Sequence, residues 1–108
     1  MYKRQAINYL TRIAAVQLGH YKIRVNAVCP GMTATDAVKD NLSDQFRSIF
    51  VRQTPLGRMA TPEEIADAVA YFASDAAAFT TGQILAVAGG FGLGTPVYGD
   101  LMNSVNRR

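Results

Sequence analysis

The sequence predicts an α/β fold built on a doubly wound parallel sheet, and three observations support this. A short, almost continuously apolar stretch at 23–29 is typical of a parallel strand that is covered on both faces. A second strand pattern follows at 83–87, and a helical pattern at 62–74 separates the two. Strand, helix and strand over this length form a βαβ unit, which is almost always parallel with a right-handed crossover.

The composition excludes several classes of protein. No apolar run in the 108 residues reaches the roughly 18 that a membrane span needs, and residues 1–5 lack the apolar core of a signal peptide. The net charge of +3 comes from scattered basic residues, without the clustered stripe of a nucleic-acid-binding protein. The single cysteine forms no internal disulfide. We therefore expect a small cytoplasmic protein without a metal site and without nucleic-acid or membrane partners.

The first predicted helix covers residues 6–18. Apolar residues recur in it at spacings of three and four, as on the buried face of a helix. They are Ile7, Leu10, Ala14 and Leu18. Further apolar residues lie elsewhere on the helix, so a second neighbour, which could be another subunit, is expected. They are Ala6, Ile13 and Val16. Gly19 is expected to end the helix with a positive φ.

The predicted strand at 23–29 ends at Pro30-Gly31, because proline donates no ladder hydrogen bond and glycine lets the chain turn away. Ligands of doubly wound sheets bind just outside the carboxyl ends of the strands. The hydroxyls of Thr33 and Thr35 would therefore stand where a ligand is held. The alternative is a strand, a turn and a helix cap without a ligand, and this stretch taken alone favours the alternative.

Two short helices are predicted in the connection that follows, at 36–41 and 43–52. Ser43 caps the second helix, which presents Phe46, Ile49 and Phe50. The connection is either a substrate lid or a surface hairpin of helices that packs its aromatic side chains on its own core. The sequence leaves both interpretations open.

The next helix begins at Thr61-Pro62, with Thr61 as its cap and Pro62 in the first helical position. Glu64 can reach back to complete a capping box, and this excludes Glu63 and Glu64 as a catalytic acid pair. Its predicted buried stripe consists of Ile65, Val69, Phe72 and Ala73. The glycines at 89–94 do not form a phosphate loop, because no helix opens after them. Residues 95–108 are expected to be a weakly ordered tail.

Motifs along the chain resemble, in their order and spacing, the short-chain dehydrogenase/reductase family. They are Leu10-Thr11-Arg12, Ile23-Arg24-Val25-Asn26-Ala27-Val28-Cys29-Pro30-Gly31, Pro55-Leu56-Gly57-Arg58, Pro62-Glu63-Glu64-Ile65-Ala66, Ala73-Ser74-Asp75, Thr81-Gly82-Gln83 and Gly89-Gly90. The resemblance implies that residues 6–94 are the C-terminal part of one NAD(P)-binding Rossmann domain. Residues 1–5 interrupt it abruptly and resemble a translated transposon adapter, so we expect them to be foreign to the protein.

The resemblance also implies an oxidoreductase that moves a hydride between NAD or NADP and a carbonyl or alcohol substrate. The family's catalytic tyrosine and serine and its glycine-rich loop have no counterpart in the chain, and Arg4 occupies the lysine position. We therefore assign no catalytic residue and expect the chain to be inactive by itself. Pro30, Gly31, Thr33 and Thr35 match the family's Pro-Gly-x-x-x-Thr, in which the Thr33 backbone and the Thr35 hydroxyl hold the cofactor.

Three further expectations complete the interpretation. Ala88 stands where relatives often carry an aspartate, so the loop anchoring made there in the family is in doubt. Association into a homo-oligomer is expected through the helix at 6–18, as is common in the family. The alternatives are a small stand-alone module that binds a nucleotide or a partner, and a non-catalytic oligomerisation fragment.

Overall fold

The computed structural model describes residues 2–94, which form two compact units. The first unit comprises residues 2–30 and 63–87, and the second comprises residues 31–62 and 88–94. The elements in chain order are α1 (Tyr2–Gly19), β1 (Ala27–Pro30), α2 (Asp36–Asn41), α3 (Asp44–Arg52), α4 (Pro62–Ala73), a 3-10 turn (Asp75–Ala77) and β2 (Ile84–Val87). Met1 and the tail predicted at 95–108 lie outside the described residues.

The strands β1 and β2 pair in parallel, as the βαβ pattern predicted. Ala27 lies opposite Ile84, and Pro30 lies opposite Val87. The strand pair belongs to the first unit, and α4 connects its two strands along the chain. The predicted α/β class with parallel strands is therefore confirmed.

The strand β1 is shorter than predicted, because its first residues bond to a turn instead of a ladder. The prediction began at 23, whereas β1 begins at Ala27. The backbone N–H of Val25 donates to the hydroxyl of Thr81 at 3.0 Å. The carbonyl of Val25 accepts from the backbone N–H of Gly82 at 2.7 Å. A side chain and a turn thus take the backbone groups that a longer strand would have used.

The side chain of Asn26 also joins the start of β1 to the turn at 80–83. Its amide Nδ2 donates to the carbonyl of Thr80, and its Oδ1 accepts from the backbone N–H of Gln83, both at 3.0 Å. One side chain therefore satisfies two backbone groups of the turn that leads into β2. Backbone hydrogen bonding between the strands begins one residue later, where the N–H of Ala27 donates to the carbonyl of Gln83 at 2.9 Å.

The helix α1 ends differently from the prediction. Gly19 is its last residue rather than a residue of positive φ that follows it, and the left-handed conformation is adopted by Lys22 with φ of 64°. The N–H of Tyr21 donates to the carbonyl of Leu18, and that of Lys22 donates to the carbonyl of Gly19. The chain thus makes one more turn before it reverses, and the position that needs positive φ moves beyond the glycine.

The buried side of α1 is also not the predicted one. Thr11 and Ala15 are buried, whereas Ile7 and Leu10, which belong to the predicted buried face, are 57% and 64% exposed. A Cβ at Gly82 would lie 3.3 Å from that of Ala15, so the helix packs closely on the turn before β2 through small side chains. Thr11 is accommodated because its hydroxyl donates to the carbonyl of Ile7 at 2.8 Å.

The three later helices begin where the sequence predicted. The hydroxyl of Thr35 caps α2, the hydroxyl of Ser43 caps α3, and α4 begins at Pro62. The predicted buried stripe of α4 is wrong in one respect, since none of its residues is fully buried and Val69 is 54% exposed. The apolar spacing marks the side that α4 turns inward, but only part of that side is covered.

Candidate functional site

Pro30, the first of the four residues assigned to the cofactor, is the last residue of β1 and is exposed. It lies at the carboxyl end of the strand, where the sequence predicted a ligand. A cavity of about 120 Å³ opens beside it in the first unit. The lining residues are Arg4, Ile7, Asn8, Ala27, Val28, Cys29 and Pro30.

The polar groups of this cavity come from α1 and β1. The thiol of Cys29 donates to the amide oxygen Oδ1 of Asn8 at 3.8 Å. Arg4, at the lysine position of the family motif, also lines the cavity. A guanidinium presents hydrogen-bond donors only, so Arg4 can attract an anion.

Gly31 begins the loop that carries the other three assigned residues, and the structure gives its lack of a side chain a reason that the sequence did not. The residue has no positive φ, so it does not serve the free turn that was predicted. A Cβ at Gly31 would instead lie 2.8 Å from the Cα of Ala88 and 3.0 Å from its Cβ. Gly31 is needed because Ala88 approaches its backbone closely.

Thr33 is fixed by hydrogen bonds to Gly31 before it and to Thr35 after it. Its hydroxyl donates to the carbonyl of Gly31 at 3.0 Å, and its carbonyl accepts from the backbone N–H of Thr35 at 2.8 Å. It also forms a parallel bridge with Ala60. Its backbone N–H, however, donates no hydrogen bond to any group within residues 2–94, although the residue is partly buried.

Thr35 is a helix cap in the structure, and its hydroxyl proton makes no bond within residues 2–94. Its hydroxyl oxygen accepts from the backbone N–H of Val38 at 3.2 Å, which makes it the cap of α2. A hydroxyl that accepts in this way keeps its own proton for donation. The cap therefore fixes the oxygen without using its capacity as a donor.

The loop at 31–35 can bind but has no group for proton transfer. It offers one backbone N–H at Thr33 and one hydroxyl at Thr35 to a hydrogen-bond acceptor, such as a carbonyl oxygen or a phosphate oxygen. No side chain between 31 and 35 titrates. This arrangement offers two hydrogen-bond donors to an acceptor group and no acid or base.

A second loop of the same unit contributes a feature that the sequence analysis missed. The rings of Phe50 on α3 and Phe91 stack with their centroids 4.3 Å apart and their planes at 10°. The N–H of Leu56 donates to the carbonyl of Gly89 at 3.0 Å. The Phe91 ring ties this loop to α3, and Gly89 ties it to Leu56 beyond the end of that helix. Phe50, which the sequence placed on that helix, could have indicated such an aromatic contact.

The loop turns through left-handed backbone at Gly89 and Gly90, whose φ values are 62° and 92°. A Cβ at Gly89 would lie 2.9 Å from Cγ2 of Thr54, and one at Gly90 would lie 2.9 Å from Cγ of Pro55. Both glycines therefore meet a conformational and a steric requirement at once.

The described part of the chain has neither a helix suited to a membrane span nor a cluster of metal-binding side chains. No helix within residues 2–94 is both long enough and apolar enough to cross a membrane. Over the same residues, no three side chains of His, Cys, Asp or Glu come together as a metal site would require.

The chain is similar to known proteins over most of its length. The sequence profile of a family described as enoyl-(acyl carrier protein) reductase matches residues 1–92. A 7alpha-hydroxysteroid dehydrogenase of Clostridium sardiniense is 48% identical over 97 residues, which cover 90% of this chain and 37% of that protein. An L-rhamnose 1-dehydrogenase (NAD(P)(+)) of Sphingomonas sp. (strain SKA58) is 41% identical over 85 residues, which cover 78% of this chain and 34% of that protein.

A solved structure shows the same likeness in three dimensions. A short chain dehydrogenase family protein from Francisella tularensis subsp. tularensis SCHU S4 superposes with a TM-score of 0.73 at 35% identity. The match covers 83% of this chain and 41% of that chain. The chain thus spans less than half the length of each of these three proteins.

Proposed function

The chain belongs to the short-chain dehydrogenase/reductase family, and we propose that it holds the nicotinamide end of NAD or NADP within a Rossmann fold. The activity proposed for the whole protein is the transfer of a hydride between this cofactor and a small-molecule carbonyl or alcohol. Two relatives are named as dehydrogenases of a hydroxysteroid and of a sugar, and one name includes NAD(P)(+). Both support an alcohol substrate and a nicotinamide cofactor.

The observation that carries the proposal is the backbone N–H of Thr33. Buried amide groups in proteins are nearly always paired, with protein, water or a ligand, and the N–H of Thr33 has no partner within residues 2–94, so it is available to a ligand. The residue is partly buried, and its own hydroxyl is already bonded to Gly31. The hydroxyl of Thr35, with its oxygen fixed as a helix cap, adds a second donor two residues further.

These residues fit a nicotinamide nucleotide, whose carboxamide and phosphate oxygens are acceptors. The N–H of Thr33 and the hydroxyl of Thr35 would hold these oxygens, Gly31 allows the close approach of Ala88, and Pro30 fixes the backbone just before the loop. When bound, the cofactor supplies the hydride chemistry, which no side chain of the chain can provide. The role of the chain's own residues is to orient the cofactor.

We also propose that this chain alone does not catalyse the reaction. The loop at 31–35 supplies hydrogen-bond donors without an acid or base, and Arg4 at the lysine position presents donors only. The cysteine usage supports a cytoplasmic location, where thiols stay reduced.

Titration with the two halves of the cofactor tests the binding proposal. We expect nicotinamide mononucleotide to shift the Thr33 amide resonance of the ¹⁵N-labelled chain, whereas adenosine monophosphate leaves it unchanged. Replacing Thr35 by Val should weaken this response, and Thr35→Ser should restore it because the hydroxyl returns. The affinity should be no tighter than about millimolar, since a few donors supply only about 4 kcal/mol.

Two outcomes would contradict this assignment. Equal shifts from adenosine monophosphate would move the contact away from the nicotinamide. Micromolar affinity for the whole dinucleotide would favour the alternative of a stand-alone nucleotide-binding module.

A second copy of the chain is the proposed protein partner, and α1 is the proposed contact. Large apolar side chains of this helix face solvent on the side away from Thr11 and Ala15. They include Leu10, Ile13 and Val16, whose exposed fractions are 64%, 40% and 82%. An apolar surface of this kind on a helix indicates a protein contact. The exposure also favours the alternative of a fragment that serves oligomerisation only.

Aspartate substitutions test this contact. Leu10→Asp and Ile13→Asp would each bury an unpaired charge in a homo-oligomer, which costs several kcal/mol. We expect light scattering to report a lower mass for both variants, whereas Gln45→Asp on α3 keeps the mass of the unmodified chain. An unchanged mass for both α1 variants would place the contact elsewhere.

A further inference from the structure

A second cavity lies along α3 in the second unit and shares no residue with the loop at 31–35. Its volume is about 430 Å³, and it is open to solvent. The lining residues are Asp44, Arg47, Ser48, Val51, Arg52 and Met59. We call this the α3 groove. Five of these residues belong to α3, and Met59 follows that helix in the chain.

The charges of the α3 groove leave it positive by one unit. Arg47 and Arg52 contribute two guanidinium groups, and Asp44 contributes one carboxylate. Asp44 and Arg47 form an ion pair one helical turn apart. The side chain of Asp44 is 93% exposed, whereas that of Arg47 is only 21% exposed. A pair with so exposed a carboxylate is weak, so Asp44 is a poor competitor for the largely covered Arg47.

Arg52 is the second cation and has no competing partner in the described chain. Its guanidinium donates no hydrogen bond to any group of residues 2–94. A guanidinium carries five N–H donors in a planar fork that matches the two oxygens of a carboxylate. Ser48, one turn before Arg52 on the same helix, adds a hydroxyl donor to the lining.

The rest of the lining is apolar. Val51 and Met59 supply a hydrophobic surface, and the flexible thioether of Met59 adapts to ligands of different shape. The methylene stems of the two arginines extend this surface beneath their charged ends. The α3 groove thus offers an apolar wall next to a cationic end.

From this combination we infer that the α3 groove binds a small monocarboxylate with an apolar body. The single excess positive charge matches one carboxylate, and the guanidinium fork matches its two oxygens. Val51 and Met59 take the hydrocarbon part out of water. The site is separate from the proposed cofactor contact at Thr33 and Thr35, so it adds a ligand and does not depend on the hydride chemistry.

Octanoate is the probe for this site, and 1-octanol is its uncharged counterpart. Saturation-transfer difference NMR on the 108-residue chain measures both without requiring a monomer. We expect octanoate to bind about tenfold more tightly than 1-octanol, which corresponds to one charge-assisted contact. Arg52→Gln and Arg47→Gln should each remove most of that preference. Arg12→Gln, an exposed arginine of α1, should leave it unchanged.

Asp44→Asn is the decisive variant, because it makes the opposite change. Removing the competing carboxylate frees Arg47 and should tighten octanoate binding, whereas a variant that merely damages the helix would weaken it. The inference is overturned by equal binding of octanoate and 1-octanol, by an equal loss in Arg12→Gln, or by weaker binding in Asp44→Asn. Absence of octanoate binding to the unmodified chain overturns it as well. Should Arg47→Gln fail to fold, the exposed Arg52 decides the result.

Discussion

Gly31 and Gly19 show how the same residue type is retained for different reasons. Gly31 faces the backbone of Ala88 at a distance that no Cβ can share. Gly19, by contrast, has no heavy atom within 4 Å of a Cβ placed on it and has no positive φ. A glycine at the end of a helix without either requirement costs backbone entropy and gains no contact.

The two glycines therefore predict opposite effects of alanine. Gly31→Ala should lower the free energy of unfolding by about 1–3 kcal/mol, because the added methyl group forces Ala88 away. Gly19→Ala should raise it by up to about 1 kcal/mol. Urea denaturation followed by circular dichroism checks both. A neutral Gly31→Ala would show that the loop at 88–94 moves without cost.

Some roles of single residues could be predicted from the sequence, and one could not. Ser43 and Pro62 were assigned correctly to helix starts, because such signals depend on residues only three positions away, whereas a cap at Thr35 was left as the alternative to a ligand contact. The reason for Gly31 depends on Ala88, far along the chain. The unpaired N–H of Thr33 likewise follows from the bridge to Ala60, which no local pattern reveals.

At the scale of elements, the start of β1 is set by side chains. Asn26 bonds with two backbone groups of the turn at 80–83, and Arg24 donates to the carbonyl of Phe72 at 2.6 Å. These contacts hold residues 24–26 against the turn and against the end of α4. The apolar pattern marked the whole stretch as strand because it records which residues are covered. It does not record which backbone groups are bonded to a neighbouring strand.

Asn26 should consequently matter more than its polar, partly buried position suggests. Asn26→Ala leaves the carbonyl of Thr80 and the N–H of Gln83 without partners, at a cost of about 1–3 kcal/mol in unfolding free energy. Asn41→Ala, which removes one exposed bond from Nδ2 to the carbonyl of Ala37, serves as the control. We expect the midpoint of urea unfolding to fall for Asn26→Ala and to stay nearly constant for Asn41→Ala. Equal urea midpoints for Asn26→Ala and Asn41→Ala would show that the backbone hydrogen bonds alone hold the start of β1 to the turn.

At the scale of the whole molecule, little apolar surface is fully buried within one chain. In the described residues the buried apolar side chains are Ala15 and Ala77, whereas large ones such as Phe79 are exposed. The parallel strand pair was predictable from its apolar pattern. The extent of burial was not, because periodicity shows which side of a helix is apolar and does not show whether another chain covers it.

Association should therefore supply part of the stability. Because dissociation accompanies unfolding in an oligomer, Tm should rise with protein concentration, and Leu10→Asp should abolish this dependence while it lowers Tm. Calorimetry over a hundredfold range of concentration provides the measurement, with Gln45→Asp again as the control. A Tm that is independent of concentration for the unmodified chain would show that each copy is stable by itself.

The paired requirement at Gly89 and Gly90 has a consequence for inheritance. Every single-base change that alters the amino acid of a glycine codon introduces a residue with a Cβ, and at these two positions that atom meets Thr54 or Pro55 in a left-handed backbone. No one-step mutation leads from either glycine to a residue that fits. Gly57 also has a positive φ, of 74°, but no atom lies within 4 Å of a Cβ there, so a replacement meets only the conformational cost. Among natural variants of this gene, we expect only silent changes in the codons of Gly89 and Gly90, whereas amino-acid replacements should be found at Gly57.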